Sequence, residues 1–249
     1  MADQTRGRRI GLLLPSSNTT QEIEYWRIMP PGVSLHVARL PLRNVEADST
    51  VRIVEDIETE SRKLADADVD AIVLAATAPS SRRGPGYDRE LARRITDAAG
   101  KPATTAATAQ NQAMAALGIE RITIAAPWSE DVNRMAAAFI ETSGYRVLHH
   151  EALGYVRNLE IGLLDERTAL DLGRQVDRPD AQAVMLACGN WMTLDIVDAL
   201  ERAIGKPVLT TNQVSLWAVL RLAGYTQSIP GWGTLLRDHM ATPLPETQP

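Results

Sequence analysis

The chain has a single cysteine among its 249 residues, Cys188, so no internal disulfide can form. An unpaired thiol suits a reducing compartment. Positive charge is not in excess: the formal net charge is −5, which leaves no basic footprint for nucleic acid. No apolar run approaches the roughly 18 residues that span a bilayer. The first ten residues, MADQTRGRRI, carry arginines with no apolar core behind them, unlike a signal peptide. The four histidines, His36, His149, His150 and His239, lack metal-ligand spacing. Glycine-rich dinucleotide, P-loop and G-x-S-x-G serine patterns are missing too. These absences point to a soluble, cytoplasmic protein that handles a small molecule with no metal or other cofactor, away from membranes and nucleic acid. They leave open whether copies assemble into a homo-oligomer.

What is present is a chain built twice. Residues 8–16 (RRIGLLLPS) reappear as residues 120–128 (ERITIAAPW), and residues 68–76 (DVDAIVLAA) as residues 180–188 (DAQAVMLAC), both at an offset of 112. A third echo pairs GKPATTAATAQ from Gly100 with GKPVLTTNQVS from Gly205, at an offset of 105. Repeats of this size read as two domain-sized halves related by a pseudo-twofold axis. Residues 1–115 with 218–249 would form one half and 116–217 the other. The offset also gives Cys188 a counterpart, Ala76, so one half carries a thiol where the other carries a methyl group.

Hydropathy patterning gives each half the same element order. In the first, strands are expected at Arg9–Pro15, Val33–Pro41, Ala71–Ala75 and Pro102–Thr105, with helices over Thr50–Ala67, Arg89–Ala99 and Thr108–Leu117. Thr19 and Glu22 have the spacing of a capping box opening another helix. In the second, strands fall at Ile122–Ala125, Tyr145–Ala152, Ala183–Ala187 and Val208–Thr210. Helices start near Ser129 and Met192 and cover Leu164–Gln175 and Gln213–Leu222. Strands alternating with helices imply an α/β fold of two pseudo-symmetric, Rossmann-like domains, each a mostly parallel sheet flanked by helices. Ala76 to Gly100 spans 24 residues against 17 for Cys188 to Gly205. The extra seven, in SSRRGPGYDR, are read either as a lid beside the Ala76 strand end or as a solvated surface loop.

Cys188 ends an apolar strand and is followed by Gly189 and Asn190. A thiol there is expected to face backbone N–H groups and the positive end of the next helix, which favour a thiolate or a nearby anion. PSSNTT from Pro15, TAPSS from Thr77 and PWSEDVN from Pro127 take the same place after other strands. Thr19 and Ser129 read as helix caps, whereas Asn18, Thr77 and Asn190 are candidates to bind carboxylate oxygens between the halves.

The segments RIGLLLPSSNTTQE, APWSEDVN, NLEIG and ACGNWMTLD together resemble the aspartate/glutamate racemase superfamily, most of all its maleate cis-trans isomerase and arylmalonate decarboxylase branch. The similarity runs from about Arg9 to Gly233. It implies a cofactor-free enzyme acting at the α-carbon of a small carboxylic or dicarboxylic acid, with its site in the cleft between the halves. Racemases and isomerases of the superfamily use two facing cysteines; here the first position is Ala76 and the second Cys188. Arylmalonate decarboxylases keep only the second, which reprotonates an enediolate after carbon dioxide leaves. By resemblance Thr77 is a hydroxyl donor to that enediolate, while Ala78 and Trp128 stand where those enzymes have a serine and a tyrosine. Asn18, beside Ser17, and Asn158 match asparagines that hold carboxylates in maleate isomerases. Gly189 and Asn190 complete the expected substrate site.

Three functions remain in play. The first is decarboxylation of a malonate-like acid with Cys188 as proton donor. The second is an isomerase or racemase working without the first cysteine, and the third a non-catalytic carboxylate-binding relative.

Overall fold

The computed structural model describes residues 7–45, 53–81 and 83–245. It contains two four-stranded sheets, both wholly parallel. The first holds β1 (Arg8–Pro15), β2 (Val33–Leu40), β3 (Ala71–Leu74) and β4 (Ala103–Thr105) in the order β2-β1-β3-β4. The second holds β5 (Arg121–Trp128), β6 (Arg146–Tyr155), β7 (Ala183–Leu186) and β8 (Val208–Thr210) in the order β6-β5-β7-β8. The repeat in the sequence is thus a repeat of topology. β3 and β7 are short, wholly apolar and fully buried, as expected of strands covered by helices on both faces.

The first half also contains α1 (Gln21–Ile28), α2 (Ile57–Asp66), α3 (Thr77–Ser81), α4 (Tyr87–Ala99) and α5 (Ala106–Ala116). The chain continues with α6 (Glu130–Thr142), α7 (Asn158–Ile161), α8 (Glu166–Val176), α9 (Val197–Ile204), α10 (Thr211–Leu222) and α11 (Thr234–Asp238). The third echo acquires a physical cause here. Gly100 and Gly205 end α4 and α9 in left-handed conformation, φ 64° and 68°, which a glycine adopts without strain. Five residues later Thr105 and Thr210 cap α5 and α10, accepting from the N–H groups of Thr108 and Gln213.

The halves share a core. α10 leaves β8 of the second sheet and packs on β3, β4 and α5 of the first. One apolar cluster accordingly joins Leu12, Leu14 and Val73 to Ile124, Val184 and Trp217. In both sheets the strand order reverses between the first and third strands, and the crevice beyond the carboxyl ends at such a switch point is where open α/β sheets bind ligands.

Several boundaries differ from expectation. The helix expected over Thr50–Ala67 begins at Ile57; residues 53–56 form turns, and residues 50–52 lie outside the described residues. The extra seven residues after Ala76 are not one long loop. Thr77–Ser81 is a short helix directly behind β3, and α4 starts at Tyr87, two residues early. The helix expected from near Met192 starts two residues later: residues 189–190 form a turn, 191–193 are irregular, and a short 3-10 helix, Leu194–Ile196, leads into α9. Among the described residues no helix is long and apolar enough to cross a membrane.

Candidate active site

Four strand ends meet at one cavity. Pro15 closes β1, Ala75 and Ala76 follow β3, Trp128 closes β5, and Cys188 follows β7; all five line the same space. The cavity, counted with the open solvent at its mouth, holds about 390 Å³ of atom-free space. Leu42, Val45, Ala78 and Pro79 add apolar wall, and Asn18, Thr77, Asn158, Gly189 and Asn190 add polar groups. None of these residues is charged. Two segments roof the cavity from opposite halves: Asn44 bridges to Arg157, with the Val45 N–H on the Val156 carbonyl and the Asn158 N–H on the Arg43 carbonyl.

Of the ten residues expected at the site, nine line this cavity: Asn18, Ala76, Thr77, Ala78, Trp128, Asn158, Cys188, Gly189 and Asn190. Ser17 stands behind it, its hydroxyl accepting from Asn158 Nδ2 at 2.8 Å. Cys188 is 4% exposed and lines this space. Burial pushes its thiol up to about 12, and the backbone N–H of Asn190 only partly offsets that. Of the two expectations, a thiolate or a nearby anion, burial disfavours the first. The helical segment begins at Leu194 rather than near Met192, six residues beyond Cys188, and none of the lining residues is a cation.

The polar side chains are also used differently. Asn18, not a Thr19–Glu22 box, caps α1: its Oδ1 accepts from the N–H groups of Thr20 (3.0 Å) and Gln21 (2.9 Å). Its Nδ2 donates across the cleft to the Gly189 carbonyl at 3.0 Å. Thr19 instead donates its N–H to Asn190 Oδ1 at 2.7 Å, and Glu22 pairs with Arg39. Asn190 Nδ2 donates to the Asn158 carbonyl at 2.6 Å. The asparagines expected to grip carboxylates are thus largely occupied in joining the halves around the cavity. Ser129 holds the N-cap position of α6 without a side-chain hydrogen bond. Trp128 turns its Nε1 to Asn133 Oδ1 at 3.3 Å and so offers the cavity its ring rather than a donor.

Sequence reasoning missed two residues. Thr211, the first residue of α10, accepts the Cys188 N–H at 3.1 Å and shares a 3.2 Å hydroxyl contact with Thr77. Its signal was available, since the 105-residue offset pairs it with Ala106. Glu24, fully buried on α1, accepts from the N–H groups of Thr193 (2.7 Å) and Leu194 (2.9 Å) and from Asn212 Nδ2, holding the turn behind Cys188. Burial raises its carboxyl from 4.5 to about 7, against the pull of those donors. Nothing in the sequence marks it.

A family model described as arylmalonate decarboxylase matches residues 10–236. The chain belongs to that family. It is 28% identical over 232 residues to the arylmalonate decarboxylase of Bordetella bronchiseptica, covering 92% of this chain and 96% of that one. A structure of the maleate isomerase Iso from Pseudomonas putida S16, a variant with maleate, superposes with a TM-score of 0.90 at 25% identity, covering 93% and 98% of the two chains. A mutant maleate cis-trans isomerase of Nocardia farcinica, with a covalently bound succinylcysteine intermediate, does so with a TM-score of 0.88 at 25% identity over 92% and 98%. The protein is an enzyme, a decarboxylase or isomerase of the aspartate/glutamate racemase superfamily.

Proposed function

We propose that this family member decarboxylates a substituted malonic acid, with the Cys188 thiol as the proton donor. The observation that carries this reading is the lone thiol: Cys188 is buried and lines a cavity whose matching position across the repeat is the methyl of Ala76, and burial favours the protonated sulfur. A neutral thiol can give a proton but is a poor nucleophile.

The substrate's two carboxylates meet unlike surroundings. Pro15, Leu42 and Val45 offer one of them apolar surface that does not replace its lost hydration. Its bond to the α-carbon breaks, carbon dioxide leaves, and the bonding pair passes into the second carboxylate as an enediolate. Thr77 and the polar groups around Gly189 and Asn190 receive the oxyanions. Cys188 then delivers its proton to the α-carbon, and solvent returns one to the sulfur. The high thiol pKa keeps the donor loaded, and the absence of a second thiol means the proton arrives from one face.

The isomerase reading keeps one supporting observation, the overall likeness to maleate isomerases. It calls for one thiol that adds to a double bond and a second that handles the proton, and here Ala76 stands in the first cysteine position. Proton NMR in deuterated water with phenylmalonate and maleate separates the two. Loss of carbon dioxide with one deuteron placed at the α-carbon supports the proposal. Fumarate from maleate with no decarboxylation would replace it by the isomerase reading.

A further inference from the structure

Thr211 does not line the cavity, yet it connects two residues that do. Its hydroxyl has one proton and two lone pairs. One lone pair takes the Cys188 N–H at 3.1 Å, and the hydroxyl also meets Thr77 Oγ1 at 3.2 Å. Cys188 belongs to the strand ends of the second half and Thr77 to those of the first, so the contact fixes the thiol's backbone relative to the expected oxyanion donor. Thr211 itself is 1% exposed and anchored by α10, whose cap, Thr210, is secured on the N–H of Gln213.

A second observation is independent of these contacts. Cys188 is one of two non-glycine residues with positive φ among the described residues, at 156°. A side chain seldom adopts that conformation unless its surroundings enforce it. The Thr211 hydroxyl is the partner of the peptide N–H at this residue. Third, the asymmetry of the thiol is repeated in its support. Cys188 corresponds to Ala76, and Thr211 corresponds to Ala106, so the half that lacks the sulfur lacks the hydroxyl as well.

We propose that Thr211 is a positioning residue for Cys188, holding the thiol-bearing peptide and the Thr77 hydroxyl in one arrangement across the two halves. The assignment rests on Cys188 being the proton donor. Without the Thr211 hydroxyl, the Cys188 N–H is left buried with no acceptor, and the peptide relaxes from its positive φ. The thiol then leaves its protected place.

The chain's single cysteine permits a test that needs no substrate. Alkylation of Cys188 by iodoacetamide at fixed pH is followed by mass spectrometry in wild type, Thr211→Val and Thr211→Ser. The valine keeps the volume and removes the hydroxyl; the serine keeps the hydroxyl. We expect Thr211→Val to alkylate at least about threefold faster than wild type and Thr211→Ser to match wild type, the scale of losing one buried hydrogen bond. A valine rate equal to or below wild type, or a serine rate equal to that of valine, overturns the proposal. Thr211→Ala replaces the valine if the latter does not fold. Failure of both to fold also overturns it, because it assigns Thr211 to stability. Turnover of phenylmalonate is read in parallel, with kcat expected to fall about tenfold in Thr211→Val while KM stays within about threefold. Absence of turnover in wild type would sink the decarboxylase reading and leave the alkylation result to decide Thr211.

Discussion

Ala76 and Cys188 stand two residues beyond the last residues of β3 and β7, 112 positions apart, and both line one cavity. The vacant and the occupied thiol positions therefore belong to a single site. Ala76→Cys should place a second sulfur in the same cavity and, where the two address one carbon, give the substrate α-carbon an acid or base on each face. The expected gain is α-proton exchange on a chiral 2-arylpropionic acid, seen by NMR in deuterated water. Some loss of the native reaction should accompany it, because the sulfur enters space that the methyl leaves to substrate. Exchange no faster than in wild type would argue that the two positions do not address the same carbon.

Cys188→Ser should lower turnover by more than about a hundredfold while the melting temperature stays near that of wild type, since a hydroxyl is far too weak an acid to replace the thiol. The protonation state makes a separate claim. With the thiol pushed up to about 12, the sulfur is almost wholly protonated at neutral pH. Its alkylation rate should climb about tenfold per pH unit from 7 to 10 with no plateau, tracking the growing thiolate fraction. A plateau below pH 9 would show an activated thiolate and return the nucleophilic mechanism.

Much of this site was legible because the repeat is a repeat of strands. Apolar runs such as AIVL and AVML mark the strands buried on both faces, and their ends can be counted, so Ala76, Thr77, Cys188 and Gly189 were placed together before any coordinates. The state of the thiol was not legible. It depends on what surrounds the sulfur in space, and the helix that the pattern from about Met192 suggested begins only at Leu194. The hydrogen bonds of the asparagines are hidden from the sequence for a related reason. Asn18 and Asn190 bond to backbone groups about 170 residues away, and such partners leave no local spacing to read. Glu24 looks like any charged residue of a surface helix until the second half closes over it.

Asn18 makes a prediction that separates support from substrate contact. Alanine there removes two capping bonds to α1 and one bond to the Gly189 carbonyl. We expect a loss of about 1–3 kcal/mol in urea unfolding. Activity should fall with it, because the same bond holds the peptide next to Cys188. A variant as stable as wild type that nonetheless lost carboxylate affinity would restore Asn18 to the role of ligand.

Glu24 makes the last prediction, on pH and stability. Burial raises its carboxyl to about 7 in the folded protein, while the N–H groups of Leu194 and Thr193 and the Asn212 amide pull the other way and Asp195 adds to the rise. Asp195 is itself paired with Arg27, and its carboxyl also bears on Glu166. An unfolded chain releases the Glu24 proton near 4.5. Between these values the folded state binds more protons than the unfolded one, so stability falls as pH rises from about 4.5 to 7 and is level above that. The span corresponds to a loss on the order of 3 kcal/mol at 1.36 kcal/mol per unit. Glu24→Gln removes the titration and keeps an acceptor for Thr193 and Leu194, and the Asn212 amide can turn its Oδ1 toward the new donor. That oxygen is buried with no partner in the wild-type structure. The variant should therefore lose less stability than wild type over the same interval, by urea unfolding at pH 5, 6, 7 and 8. Parallel curves for the two proteins would mean that Glu24 does not titrate there, and that its clamp on the turn behind Cys188 is already ionised at pH 5.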